Sequence, residues 1–416
     1  MLYRFAYQLM RITFRIYFRN INVVNRHLLL KNQPAILVAN HPASFLDAMV
    51  LAVFLKRPLY FYVRGDIFKH PLAYRILTIL HMIPIFSLEH GISNMGKNQS
   101  TFERGRNILK KGGLLLVFPE GVSRLSKKLL PLKKGASRVA LQTAFENSQN
   151  FPLIFQTVAI HYSRHNIGAN LLIRVGEQLS LDSYGELYRE NPNKAILQLT
   201  QDLQAIFERN VIHVAEAERT NHVEDLIQLD YSNLSSNHKR FEQARSICQQ
   251  TDALSQDEFN VHVGMMDKYI SILKKYRIHD RCIVREEPAP LLFFETSMLF
   301  PVFLVGSLLW MLPFRLARYI ADTKVTRIDF YTSVFSAALA LLGFLWWLLL
   351  LIAGYVFRNP TLILILIFSP VWVFGAVRWL DNWKLIRAYW NYNELKELQP
   401  QLVSELKGIR KKLFFQ

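Results

Sequence analysis

Three long runs without a charged residue fill the last third of the chain, and they constrain its fold more than any other feature. Thr296–Phe314 covers 19 residues, Phe330–Phe357 covers 28 and Asn359–Val377 covers 19. About 20 apolar residues in a helix cross the hydrocarbon core of a bilayer. Only Arg358-Asn359-Pro360 separates the last two runs, which predicts a tight helical hairpin. The stretch 315–329 carries Arg315, Arg318, Lys324 and Arg327, and the tail after Arg378 is also basic. Basic flanks stay on the cytosolic side of a membrane. Two spans, 331–357 and 360–378, meet that condition with the N-terminal part of the chain on the same side; three spans do not. Residues 291–314, with Glu295, Pro301 and Pro313, are therefore expected to be interfacial or re-entrant. A pair of buried core helices is the alternative, but "LGFLWWLLLLIAGYVF" is too uniformly apolar for the surface of a soluble protein.

The rest of the 416 residues fits a membrane-bound protein with its working part in a reducing compartment. The formal charge is +18, yet 51% of residues are hydrophobic and 13% aromatic. That balance suits a basic face held against anionic lipid better than a nucleic-acid binder, and no RNA- or DNA-binding motif occurs. Cys248 and Cys282 give neither a disulfide framework nor a metal-ligand cluster, so no metal is expected. Arginines interrupt the N-terminus too often for a signal peptide. Met1–Asn20 reads as an amphipathic helix, with Arg4, Arg11, Arg15 and Arg19 on one face and Leu2, Phe5, Leu9, Ile16 and Tyr17 on the other. It serves a membrane interface or packs on its own domain.

Between 33 and about 180, apolar strand-like runs alternate with helical patterns. Strands are expected at Ile36–Ala39, Leu59–Val63, Leu114–Phe118, Thr157–His161 and Leu171–Val175, and helices at Leu46–Leu55, Phe102–Lys110 and Gly135–Phe145. That is an α/β layer pattern. The organisation expected is an amphipathic interface helix over 1–30, an α/β domain over 31–192, a helical insert over 193–290, a membrane region over 291–379 and an amphipathic basic tail helix over 380–416.

Two strand ends carry chemistry. "VANHPASFLD" runs a strand into Asn40-His41-Pro42 and places Asp47 six residues after His41. Ser44-x-x-Asp47 ahead of an apolar run also reads as a capping box, which would give Asp47 a purely structural duty. Imidazole and carboxylate meet only if 41–44 is a turn that folds the ring back over the first helical turn. "LLLVFPEGVSR" likewise runs a strand into Pro119-Glu120-Gly121, and Gly121 to Arg138 holds Arg124, Lys127, Lys128, Lys133, Lys134 and Arg138 with no acidic residue. Such a run is either a solvated face or a phosphate site built on exposed backbone and cations.

Together, "NHPASFLD" and "FPEGVSR" resemble the paired motifs of the PlsC-like glycerophospholipid acyltransferases, which include glycerol-3-phosphate and lysophosphatidic acid acyltransferases. "MIPIF" (82–86) and "LLPLKKGASRVAL" (129–141) look like that family's intervening and following segments, and the resemblance covers about residues 30 to 180. It implies an acyltransferase-type mixed sheet flanked by helices. Five residues, not four, separate His41 from Asp47, a spacing associated with the larger glycerol-3-phosphate/dihydroxyacetone phosphate subgroup. The arginine that commonly follows the second block is replaced by Ser87, and Gln156-Thr157-Val158 stands where Val-Pro-Val is usual.

The resemblance implies a membrane-bound enzyme that moves a fatty acyl group from acyl-CoA or acyl carrier protein to a hydroxyl of glycerol-3-phosphate or its 1-acyl derivative. His41 would be the general base and Asp47 its orienting partner, as in a hydrolase triad whose serine is replaced by the substrate hydroxyl. Glu120 and Gly121 would shape the acceptor site. Arg124 and Lys134 are the first choices for the phosphate, with Arg64 and Lys133 behind them. The acyl thioester is a co-substrate, and no other cofactor is expected. The partners implied are membrane lipids, the acyl donor and the glycerol phosphate. Competing readings are another lysolipid or an amino-acid lipid as acceptor, and a catalytically silent lipid-binding scaffold.

Overall fold

Ala35-Ile36-Leu37-Val38-Ala39 is buried along its whole length, which requires cover on both faces of the strand. In the computed structural model, which describes residues 1–30, 33–55, 57–86, 96–145, 151–163, 167–231 and 237–414, this run is the middle strand of a seven-stranded mixed sheet. The strands are β1 (Phe18–Val24), β2 (Ala35–Ala39), β3 (Leu59–Arg64), β4 (Met82–Ile85), β5 (Leu114–Val117), β6 (Ile154–Tyr162) and β7 (Ala169–Ser180). Their order is β1-β7-β6-β2-β5-β3-β4, parallel throughout except between β6 and β7.

Helices α1 (Leu2–Tyr17), α2 (Phe45–Phe54), α3 (Pro71–Ile79), α4 (Gly96–Lys110), α5 (Gly135–Phe145), α6 (Gly185–Glu190) and α7 (Pro192–Asn210) accompany the sheet. One face, with Leu37 of β2 and Leu116 of β5, is covered by α1 and α2; the other, with Ile36 and Val38, is covered by α4, α5 and α7. Helix α7 thus belongs to the sheet's own core, and the separate helical part begins after Asn210, not at 193. It comprises α8 (Thr220–Tyr231), α9 (Asn237–Asp252), α10 (Gln256–Lys275) and α11 (Asp280–Val284). Then follow α12 (Pro290–Lys324), α13 (Ile328–Val356), α14 (Pro360–Ile367), α15 (Ser369–Leu398) and α16 (Pro400–Leu413).

Several expectations need correction. The N-terminal helix stops at Tyr17, because Arg19-Asn20-Ile21-Asn22-Val23 switches to a two-residue alternation and pairs as β1 with β7. Its Phe14 and Tyr17 are buried in the sheet's core, so α1 packs on its own domain, while Leu2, Phe5 and Ile12 are exposed. Residues 291–314 are not re-entrant: they lie inside one unbroken helix, α12, that tolerates Pro301 and Pro313. By length and composition, α12 and α13 are the two described helices able to cross a membrane.

The third apolar run does not form one span over 360–378. Helix α14 lies beside α13, with Gly354 against Ile363 and Leu366, and breaks at Phe368. Pro370, which has no N–H to give, then opens α15. Helix α15 runs along α12, where a Cβ on Gly306 would come 2.6 Å from the Trp372 carbonyl. The tail over 380–416 is not one amphipathic helix either. Helix α15 continues to Leu398, and α16 turns back onto α10 and α11, burying Val403, Leu406 and Leu413. Arg410 pairs with Asp280 at 2.9 Å, and Lys396 and Lys407 both pair with Glu286.

Candidate active site

Asn40 leaves β2 but keeps the sheet's pairing going with its side chain. Its amide donates to the Ile160 carbonyl (2.8 Å) and accepts from the Ile160 N–H (2.7 Å) on β6. Beyond it the chain turns sharply at Ser44, whose φ of 54° and ψ of −138° are costly for any residue but glycine. That turn brings His41 back over α2, with Nδ1 2.9 Å from Asp47 Oδ2.

Asp47 is fully buried and receives three donors. Oδ2 takes His41 and the Ala43 N–H (2.8 Å), and Oδ1 takes the Tyr162 hydroxyl (2.8 Å). Burial first, and then the Asp47 charge, hold the Tyr162 phenol well above its ordinary range, so it stays a donor. The capping box does not form: Ser44 makes no side-chain cap, and the Asp47 carboxylate serves His41 instead of a helix end. A carboxylate only accepts, so the His41 proton sits on Nδ1 and the lone pair on Nε2. The imidazole stacks on Phe118, the first residue of the second motif, at 3.9 Å between ring centres and 12° between planes.

The second loop closes against the first, with the Arg124 N–H donating to the His41 carbonyl at 3.1 Å. Gly121 has a φ of 71°, and a Cβ there would meet Lys133 Nζ at 2.6 Å, so glycine lets the lysine lie across the loop. Glu120 is turned inward, not toward an open acceptor site. Burial raises its carboxyl above the ordinary value, against the Leu130 and His41 N–H groups and the His41 ring, which lower it; the Asp47 charge adds to the rise. Its Oε2 accepts from Leu130 at 3.2 Å, so it braces the loop from within.

The basic run divides in two. Lys127 turns away to Glu224 (3.2 Å) and His161, and Lys128 to Glu216 (3.6 Å). Arg124, Lys133 and Lys134 remain exposed, with no carboxylate partner among the described residues. Arg64 ends β3 on the same sheet edge but is held by Asp66 at 2.8 Å. Ser87 lies outside the described residues. Gln156 and Thr157 face inward, Gln156 onto the Leu28 carbonyl (2.8 Å) and Thr157 onto the Asn210 amide (3.1 Å), so this block braces the sheet. A cavity of about 30 Å³ behind Asn40 and Pro42, lined also by Lys127 and His161, has room for about one water and not for a substrate. Among the described residues no group of three or more His, Cys, Asp or Glu is arranged to hold a metal ion.

Tyr162 and Ser333 reach this site from far along the chain, and no sequence motif marks either. Tyr162 is the last residue of β6, one position beyond the strand expected over Thr157–His161. Ser333 left a fainter signal: Thr332, Ser333 and Ser336 form a polar stripe at the start of an apolar run.

Residues 20–161 match the family model described as Acyltransferase. The chain is 28% identical over 108 residues to glycerol-3-phosphate O-acyltransferase 2 of Saccharomyces cerevisiae, a match covering 26% of this chain and 14% of the yeast enzyme's length. The crystal structure of the 1-acyl-sn-glycerophosphate (LPA) acyltransferase PlsC from Thermotoga maritima is similar at 19% identity and a TM-score of 0.33, over 48% of this chain and 79% of that one. The motifs at His41 and Glu120 lie inside the matched stretch, so the chain carries a domain similar to the Acyltransferase family.

Proposed function

We propose that this chain transfers a fatty acyl group from a thioester, acyl-CoA or acyl carrier protein, to a hydroxyl of a glycerol phosphate. The observation that carries this reading is His41 itself. Its Nδ1 is committed to a buried carboxylate, and its Nε2 makes no hydrogen bond among the described residues, beside a loop bearing three exposed cations. An alcohol is a poor nucleophile at neutral pH, so a base must take its proton as it attacks. The acceptor hydroxyl attacks the thioester carbonyl while its proton passes to Nε2. The tetrahedral intermediate then collapses, the C–S bond breaks, and the imidazolium returns the proton to the departing thiolate. Asp47 steadies the imidazolium between these steps. Arg124, Lys133 and Lys134 hold the phosphate, and Glu120 and Gly121 shape the loop that presents them.

Both lipid substrate and lipid product favour a site against the bilayer. The apolar outer faces of α12 and α13 supply the attachment. Arg327, in the connection between them, donates to the Ser123 carbonyl of the second motif loop, and a basic group held beside the site favours a cytosolic face for it.

The test is acyl transfer by the full chain in mixed micelles, with each donor offered against glycerol-3-phosphate, lysophosphatidic acid and a phosphate-free monoacylglycerol. Transfer to a phosphate-bearing acceptor is expected and identifies it. Equal transfer to the phosphate-free acceptor overturns the phosphate site, and no transfer from either donor to any acceptor overturns the reading. Arg124→Ala sharpens the test. A charge-assisted hydrogen bond contributes about 1.5–3 kcal/mol, so the acceptor KM should rise about tenfold or more, with kcat within about threefold.

A further inference from the structure

The first turns of α13 carry buried polar residues at the head of an otherwise apolar helix: Asp329, Thr332, Ser333 and Ser336. Two of them reach the two motif loops. Ser333 Oγ donates to the Ala43 carbonyl (2.6 Å) and accepts from the Leu46 N–H (3.0 Å). Asp329 accepts from the Ser123 hydroxyl, while Arg327 donates to both Asp329 oxygens (3.1 and 2.9 Å) and to the Ser123 carbonyl (3.2 Å). Arg327, Asp329 and Ser333 all lie well beyond the stretch matched by the family model, which ends at residue 161.

Ala43 and Leu46 bracket Ser44, the strained residue on which the turn depends. A serine does not hold φ near 54° with ψ near −138° unless its surroundings impose it. Ser44 has no side-chain cap of its own, so Ser333 supplies from another helix what the turn lacks, gripping it on both sides. The N–H of the same Ala43 is what Asp47 Oδ2 shares with His41.

We infer that Ser333 is a positioning residue for the acyl transfer proposed above. It clamps the 43–46 turn in its strained shape, and so holds the Asp47–His41 pair in working register from the first turns of an apolar helix. The same rigid helix continues to Leu345, Leu349 and Ile352, all exposed, so catalytic geometry and membrane attachment share one element. The inference rests on the proposed function, and its test separates the two.

The experiment compares wild type, Ser333→Ala and Ser333→Ala/Ser44→Gly as full chains in the same micelles. Ser333→Ala should lower kcat about ten- to hundredfold, with both KM values within about twofold, because a displacement of about an ångström is enough for such a loss. Glycine holds the positive-φ turn without the clamp, so the double variant should regain most of that kcat. A purely structural role for Ser333 would not be rescued by a substitution at Ser44. Full kcat in Ser333→Ala overturns the clamp, and so does a loss that Ser44→Gly leaves in place. The low-field proton signal of His41 Nδ1–H gives a second readout that needs no substrate. It should shift in Ser333→Ala and return in the double variant. If wild type transfers to no acceptor, the proposed function fails, while an unchanged proton signal in Ser333→Ala separately overturns the clamp.

Discussion

Replacing His41 with alanine should lower kcat about a thousandfold, with both KM values within about threefold of wild type. The expectation follows from what the ring touches and what it leaves behind. Without the imidazole, Asp47 still accepts from the Ala43 N–H and the Tyr162 hydroxyl, so its buried charge keeps two donors. The turn also keeps Asn40 on β6 and Ser333 on its two backbone groups. The His41 side chain is 17% exposed, so water can fill the space it vacates. Folding should therefore survive, which a thermal melt within a few degrees of wild type checks. The lost rate then reports chemistry: no other described group stands where Nε2 does to take the proton. Transfer within tenfold of wild type would show that another group is the base.

The sheet was legible where its physics is simple. Parallel strands covered on both faces must be continuously apolar, and β2, β3 and β5 announce themselves that way, while the antiparallel pair β6 and β7 shows shorter apolar stretches at Val158–Ile160 and Leu171–Ile173. The two strands that escaped are the two edges. Strand β1 was absorbed into the arginine spacing of the N-terminal helix, and β4 contains Pro84, which only an edge strand tolerates. The site divides along a similar line. His41 and Asp47 are six apart, so their meeting needs only one turn, and the sequence supplies Pro42 and Ser44 for it. Tyr162 and Ser333 are 115 residues from Asp47 and 290 from Ala43 respectively, and no spacing rule connects such distant positions. Nor could the basic run be sorted from sequence. Lys127 and Lys128 turn away from the acceptor loop because Glu224 and Glu216 of the helical part draw them, a choice made by tertiary packing.

Asp47→Asn should cost about a hundredfold to a thousandfold in kcat, less than a broken triad loses, and the reason lies in Tyr162. An amide offers one acceptor and one donor where the carboxylate offered two acceptors. At the Oδ2 position the Ala43 N–H cannot reverse, so the amide oxygen must stay there, where it also accepts from His41 Nδ1. The amide nitrogen then falls at the Oδ1 position and faces the Tyr162 hydroxyl, which can rotate to accept it. The tautomer survives and only the negative charge behind the imidazolium is lost. Where the tautomer is also lost, a triad forfeits about ten-thousandfold. Adding Tyr162→Phe to Asp47→Asn removes the acceptor that this orientation gives the amide nitrogen, and so strands a buried donor. The double variant should fall well below the product of the two single effects and unfold more readily, by about 1–3 kcal/mol for the unpaired amide. Single Tyr162→Phe should be milder, since Asp47 keeps its other two donors. If the two effects simply multiply, Tyr162 does not orient residue 47, and the buried end of the pair must be held by Ala43 alone.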